Sequence, residues 1–236
     1  QLLTTGYFAS MTAGMLLSSW LIDTVGERRS YSIALCVFLL GAMMSGLAQN
    51  PNSLMFGRVL QGMAAGAIQP LAMAVVFKVF PAGRKGTSMG LYSMGMVLAP
   101  TLGPTMGGLA IEYFSWRYVF LLSVPSVVLA FILGNMFMPS RARLKHLPPF
   151  DFIGFFLMCG ALTGFLLGFS YGQRLGWESG EIIGLFAAGA IGSVGFVLRQ
   201  IHGAYPLINM KLFLIPQFSA AALVALFTGC AFLSST

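Results

Sequence analysis

The sequence predicts an all-α, polytopic membrane protein, and three observations carry that prediction. Charged residues make up 8% of the 236 positions, against about 25% in an ordinary soluble domain. Apolar residues reach 57%, with a mean hydropathy of +0.85, far more than a soluble chain of this size can cover with polar surface. The few charges sit between apolar runs of about 20 residues, the length a helix needs to cross a hydrocarbon core.

Taken in order, the apolar runs fall at 1–22, 30–49, 53–77, 87–111, 117–138, 152–171, 181–199 and 216–236. Lys and Arg are divided unequally between alternate connections. One set holds Arg28, Arg29, Lys78, Arg84, Lys85, Arg141, Arg143, Lys145, Arg199 and Lys211; the other holds only Arg117 and Arg174. Basic connections stay cytoplasmic, so the asymmetry gives an orientation and supports the span count. The net charge of +7 is a topology signal and does not point to nucleic acid.

Organisation follows from the connections. Residues 1–138 read as one helical bundle, 139–151 as a basic, Pro-containing cytoplasmic linker, and 152–199 as a helical hairpin joined by "YGQRLGWESGE". Residues 200–216 read as a cytoplasmic or interfacial connection, and 217–236 as the first helix of a second bundle. Within the connection, Leu207, Met210 and Phe213 are spaced as one face of a short helix lying in the interface plane. The chain begins inside an apolar run with neither an initiating Met nor a basic n-region, so it reads as an incomplete chain without a signal peptide.

Arg58 is the most informative residue, because it falls inside the third run, in "LMFGRVLQGMAAGAIQP". Charge at that depth costs several kcal/mol unless it is paired, hydrated or able to reach the headgroups, which makes function the default reading. The competing reading is an arginine that snorkels outward or pairs with a neighbouring helix. At 100° per residue, Gln61 and Gln69 fall on the same side of the helix as Arg58. The resulting polar stripe is expected to face the bundle interior or a water-filled cavity. Gly62 and Gly66 add a small-xxx-small step where another helix can approach closely.

The fourth run contains "LAPTLGPTMGGL", a string that would be a turn in water. Gly95, Ala99, Gly103 and Gly107 recur every four residues, with Pro100 and Pro104 alongside and Gly108 following. Each proline removes an intrahelical hydrogen bond and favours a kink. Such a smooth helix is suited to press on a neighbour as a seal or pivot; ordinary tight packing is the alternative. A third element, "SSWLIDTVGERRS", places Asp23, Gly26, Arg28 and Arg29 at the first basic turn. These charges read either as a latch on helix ends or as solvated loop residues.

Together these elements resemble the major facilitator superfamily, and within it the EmrB/QacA-like drug:proton antiporters with 14 helices. "SSWLIDTVGERRS" is similar to the loop motif between family helices 2 and 3, "RVLQGMAAG" to the helix 4 motif, and "APTLGPTMGG" to the helix 5 antiporter motif. The resemblance implies a fragment covering about helices 2–9 of a proton-coupled exporter of amphipathic or lipophilic compounds. It makes Asp23, Gly26, Arg28 and Arg29 a conformational latch and Arg58 a proton-coupling residue. Gly95, Pro100, Gly103, Pro104, Gly107 and Gly108 become the bend and seal of helix 5. The chain departs from the latch motif at Ser19, where the family has Gly, and at Glu27, where it often has Arg. The implied setting is a bacterial inner membrane crossed many times, with protons and small amphipathic molecules as partners. A periplasmic adaptor joins them if the cell has two membranes.

The remaining chemistry is sparse. The acids are Asp23, Glu27, Glu112, Asp151, Glu178 and Glu181, all in connections or at span ends. A proton-coupled exporter is expected to carry a membrane-embedded carboxyl raised by desolvation, and none is visible. Cys36, Cys159 and Cys230 read as small buried hydrophobes, and His146 and His202 are too far apart in sequence for a metal cluster. No cofactor is expected, the driving force being a proton gradient. An intramembrane hydrolase would need a Ser or Asp beside a base, and no His or Lys occupies a span core. The other readings are a selective exporter of a metabolite, antibiotic or siderophore on the same scaffold, and a non-transporting scaffold or sensor.

Overall fold

The computed structural model describes residues 2–138, 149–203 and 205–234. The basic residues Arg141, Arg143 and Lys145, with His146, lie outside the described residues, as does most of the expected 139–151 linker. The described residues form helices and turns with no strand. The helices are α1 (Leu2–Val25), α2 (Glu27–Gly46), α3 (Pro51–Val79), α4 (Lys85–Tyr113), α5 (Trp116–Leu121), α6 (Ser123–Phe137), α7 (Phe152–Leu175), α8 (Gly180–His202) and α9 (Pro216–Ser234). Among the described residues seven spans are long and apolar enough to cross a membrane, α5 and α6 counting as one; the run expected at 216–236 is not among them, its apolar helix being shorter over Pro216–Thr228. The ladder between these two breaks at Leu122, three residues before Pro125, which has no N–H to continue it.

Several helices run past the apolar runs that predict them. α1 continues to Val25 and α7 to Leu175, because polar side chains at a membrane surface do not interrupt a helical backbone. The 200–216 connection holds a 3₁₀ turn, Met210–Leu214, in place of the expected short helix. Of the expected face only Met210 and Phe213 lie in that turn, at the three-residue repeat of a 3₁₀ helix.

α3 is the centre of the bundle, with α1 on one side and α2 on another. Glycines set both approaches. A Cβ on Gly66 would fall on the Met11 carbonyl, and one on Gly62 would meet the Tyr7 carbonyl and the Ser10 hydroxyl. On the α2 side, a Cβ on Gly41 would lie 2.7 Å from the Gly57 carbonyl oxygen. In hydrocarbon no hydrophobic force separates helix from lipid, so this backbone proximity is the main source of attraction. α5 and α6 pack on α2, α4 leans on α3 and α5, and α7 packs on α1.

The cysteines depart from expectation: Cys36 is exposed on α2 and Cys159 is half-buried on α7. A thiol on the outer face of a span is in hydrocarbon, where it needs no burial inside protein. The Cys230 side chain is outside the described residues.

The α7–α8 hairpin is closed at one end by a buried polar node. Asp151, 5% exposed, caps α7 by accepting from the Gly154 N–H at 3.1 Å. Arg199 Nε donates to the same carboxylate oxygen at 3.1 Å, and Gln200 Nε2 to the other at 3.2 Å. Gln200 Oε1 in turn accepts from the Ile208 N–H at 3.0 Å. The node therefore ties the start of α7, the end of α8 and the following connection. A side chain on Gly154 would collide with the Asp151 carboxylate and the Gln200 amide. Trp20 of α1 stacks edge-on against Phe150 at 5.4 Å, joining the node to the bundle.

Burial alone would raise the Asp151 carboxyl, but the Gly154 N–H, the Arg199 guanidinium and the Gln200 amide outweigh it and hold it below the usual carboxylate range. A carboxyl lowered in the folded state contributes stability above its unfolded pKa, and that contribution disappears as pH falls through the folded one. Thermal unfolding in detergent should therefore show stability falling as pH drops below about 4, the unfolded Asp value. Asp151→Asn should flatten that part of the curve. An unchanged acid slope in the variant would mean that the node does not titrate.

Candidate functional site: an arginine held between aromatic rings

α3 starts where the sequence supplies its signals. Asn50 accepts from the Ser53 N–H at 2.8 Å, and Pro51 takes the first helical position, where its missing N–H is harmless. Arg58 follows seven residues later, about 10 Å along the helix. Its guanidinium carbon lies 5.0 Å from the Tyr7 ring centroid of α1 and 5.1 Å from the Phe120 ring centroid of α5. Arg58 Nε is buried and has no hydrogen-bond partner. Each cation–π contact offsets about 0.5–2 kcal/mol, so two rings cover part of the several kcal/mol that desolvation costs. The uncovered N–H remains a buried donor.

The other two members of the predicted stripe are placed differently. Gln61, 3% exposed, is packed against α2, where the Ser45 hydroxyl approaches its Oε1 at 3.5 Å. Gln69 lies three turns beyond Arg58, beside α4. Its backbone carbonyl accepts from the Tyr92 hydroxyl at 3.4 Å, while its side-chain Oε1 is buried without a partner. The three side chains share one helix but not one cluster: Arg58 meets α1 and α5, Gln61 meets α2, and Gln69 sits near α4. Helical arithmetic places residues on a face, and here that face is wide enough to touch several neighbours.

The basic turn is built on Gly26, whose φ of 82° lies where side-chain-bearing residues are disfavoured. Asp23 and Arg29 are exposed and Arg28 is half-exposed, and among the described residues these three form no ion pair with one another. The residue that is engaged is Glu27. It is 4% exposed and binds Lys78, at the far end of α3, at 2.6 Å. Sequence reasoning marked Glu27 only as a departure from the motif. An acid at a position that is usually basic is itself a signal that a local cation is present to receive it.

α4 stays helical through Pro100 and Pro104. A Cβ built on Gly95, Gly103, Gly107 or Gly108 would meet nothing within 4 Å. The small-residue face thus lies against none of the described residues.

The comparisons with known proteins decide the family. The Major Facilitator Superfamily description matches residues 1–236. This chain belongs to the major facilitator superfamily. It is 32% identical to the uncharacterized MFS-type transporter YhcA of Bacillus subtilis, over 97% of this chain and 44% of that protein. It is 30% identical to the multidrug transporter protein MdtP of the same organism, over 95% of this chain and 42% of that protein. The lincomycin resistance protein LmrB of B. subtilis is 28% identical, over the whole chain and 49% of its own length. The chain thus spans less than half the length of these relatives. Membership places it within a multi-pass membrane protein, in a family that is generally non-enzymatic.

The Glu27–Lys78 pair gives a direct check on the basic turn. Lys78→Glu should destabilise the bundle by about 1–3 kcal/mol, between the ranges for exposed and buried pairs. Exchanging the charges, with Glu27→Lys added, should recover most of the loss. Thermal unfolding of the single and double variants reads this out, and failure of the exchange to recover stability would remove the pair from the account.

Proposed function

We propose that this chain is part of a proton-coupled antiporter that expels amphipathic or lipophilic drugs by alternating access, in the 14-helix EmrB/QacA-like branch. The observation that carries the reading is Arg58, a permanent charge within an apolar span, sandwiched between Tyr7 and Phe120 with one donor left unsatisfied. A guanidinium stays charged, so Arg58 is not the proton carrier. Its role is to lower the pKa of a carboxyl that approaches in one conformation, and to repel a cationic cargo in that same state. The described acids all lie at helix ends or in connections, so the titrating carboxyl is sought beyond residues 1–236. Gln61 and Gln69 support the pathway around Arg58, one by fixing α2 against α3 and the other by its unpaired oxygen near α4.

The open face of Gly95, Pro100, Gly103, Pro104, Gly107 and Gly108 is the surface on which the second bundle rocks and seals. Asp23, Gly26, Arg28 and Arg29 latch the cytoplasmic side, where exposed charges remain free to change partners. The membrane is the bacterial inner membrane with basic connections cytoplasmic. The gradient supplies the energy without a cofactor, and in a two-membraned cell a periplasmic adaptor completes the route. A drug as cargo is supported by the relatives named as a multidrug transporter and a lincomycin resistance protein.

The intact protein in proteoliposomes with an imposed pH gradient provides the test. Ethidium should collapse the gradient, read by an interior pH dye, and Arg58→Ala should abolish that response while the protein remains in the membrane. Wild-type flux in this variant would overturn the role of Arg58. No response in either protein would remove drug antiport and leave a selective exporter.

Gly103→Leu separates the seal from the fold. Nothing within 4 Å obstructs the new side chain, so insertion and monodispersity should be unchanged while transport is lost. Normal transport by the variant would mean that the face does not close on another surface.

A further inference from the structure

Arg58 lies about 10 Å of helix rise inside the start of α3, and two fates compete for its charge. A long arginine stem can run back along the apolar helix and deliver the guanidinium to the headgroups at the Pro51 end. If the charge is to stay in the bundle, something must hold it there. Among the described residues Arg58 makes no ion pair and no hydrogen bond. What it meets are the rings of Tyr7, at 5.0 Å, and Phe120, at 5.1 Å. A ring face attracts the cation through its quadrupole and takes up none of the five N–H donors of a guanidinium. A carboxylate in the same place would occupy those donors with directed bonds and commit the side chain to one geometry. The rings stabilise the charge and leave its donors for a partner that arrives later.

Both rings are themselves anchored. The Tyr7 carbonyl packs on Gly62, where a Cβ would collide with it, and accepts from the Ser10 hydroxyl at 2.9 Å. The Tyr7 hydroxyl makes no hydrogen bond among the described residues, so its ring is what the residue contributes. Phe120 belongs to α5, which is separated from α6 at Leu122 and needs anchors of its own. Arg117 Nη2 donates to the Ala48 carbonyl beyond the end of α2 at 3.2 Å. Leu121 packs on Gly46 of α2, where an added Cβ would lie 2.8 Å from its Cδ2. Phe120 sits between these two anchors.

We propose that Tyr7 and Phe120 are positioning residues for Arg58: their ring faces keep the guanidinium inside the bundle, away from the headgroups, with its donors uncommitted. The consequence for transport rests on the reading of Arg58 given above; the seat of the guanidinium does not.

The experiment is nuclear magnetic resonance on the intact protein, labelled with nitrogen-15 arginine, in nanodiscs that contain a lipid with a gadolinium chelate on its headgroup. The Arg58 Nε–H signal is identified by its loss in Arg58→Lys. Ring currents should place this proton upfield of the free-arginine position in the wild-type protein. Tyr7→Leu and Phe120→Leu should each move it toward that position, and gadolinium should broaden it several-fold more as the charge nears the headgroups. Tyr7→Phe, which returns the face without the hydroxyl, should restore both readings. In the proteoliposome assay, ethidium-driven proton flux should fall by about tenfold in the leucine variants, the size of one desolvated cation–π contact, and recover in Tyr7→Phe. A wild-type signal at the free-arginine position would overturn the proposal without any variant. So would a signal unchanged in both leucine variants, or full flux in a variant whose Arg58 has moved. Absence of flux in the wild type would remove the antiport reading alone, since the resonance still decides where the guanidinium is held.

Discussion

The close approach of α3 to its two neighbours is the constraint on which the rest of the bundle depends. In lipid, an alkyl side chain gains little by leaving hydrocarbon for a protein interior. Attraction must come from surfaces that fit, and glycine lets backbones touch. Gly62 and Gly66 admit the carbonyls of Tyr7 and Met11, and Gly41 admits that of Gly57. Because α1 lies this near, the Tyr7 ring reaches Arg58. The site is thus a consequence of the packing, and its charge is accommodated by aromatic faces that the packing supplies.

Polar groups that leave water are treated in two ways. At the ends of helices the carboxylates meet cations and donors: Asp151 receives three donors, and Glu27 Oε1 is paired with Lys78. These interactions fix where helices begin and how the hairpin closes. Within the spans, by contrast, Arg58 Nε and Gln69 Oε1 are buried without partners. A buried donor or acceptor left unmade costs about 1–3 kcal/mol, a cost that fits groups waiting for an occupant or another conformation.

The two prominent glycine patterns divide along the same line. On α3 they are consumed by contact within the chain. On α4 they face open space over more than three turns, from Gly95 to Gly108. Sequence alone treats the two patterns as equivalent, since both are small residues at a spacing of four. Only the placement of the neighbouring helices separates a finished contact from an available one.

The sequence by itself determined the class, all but the last of the spans, and the family. Those properties depend on solvent and on local chain chemistry: apolar length, basic connections, Asn50–Pro51 as a helix start, and glycine at the turn of Gly26. It also marked Arg58, because a charge in hydrocarbon is conspicuous without any knowledge of its neighbours. Tertiary structure decided what that charge touches. Tyr7 lies 51 residues before it and Phe120 62 residues after it, and no periodicity relates positions on different helices. The same holds for Glu27 with Lys78, Asp151 with Arg199 and Gln200, and Gln61 with Ser45. Side-chain partners across helices are set by crossing and depth, which arise only when the backbones meet.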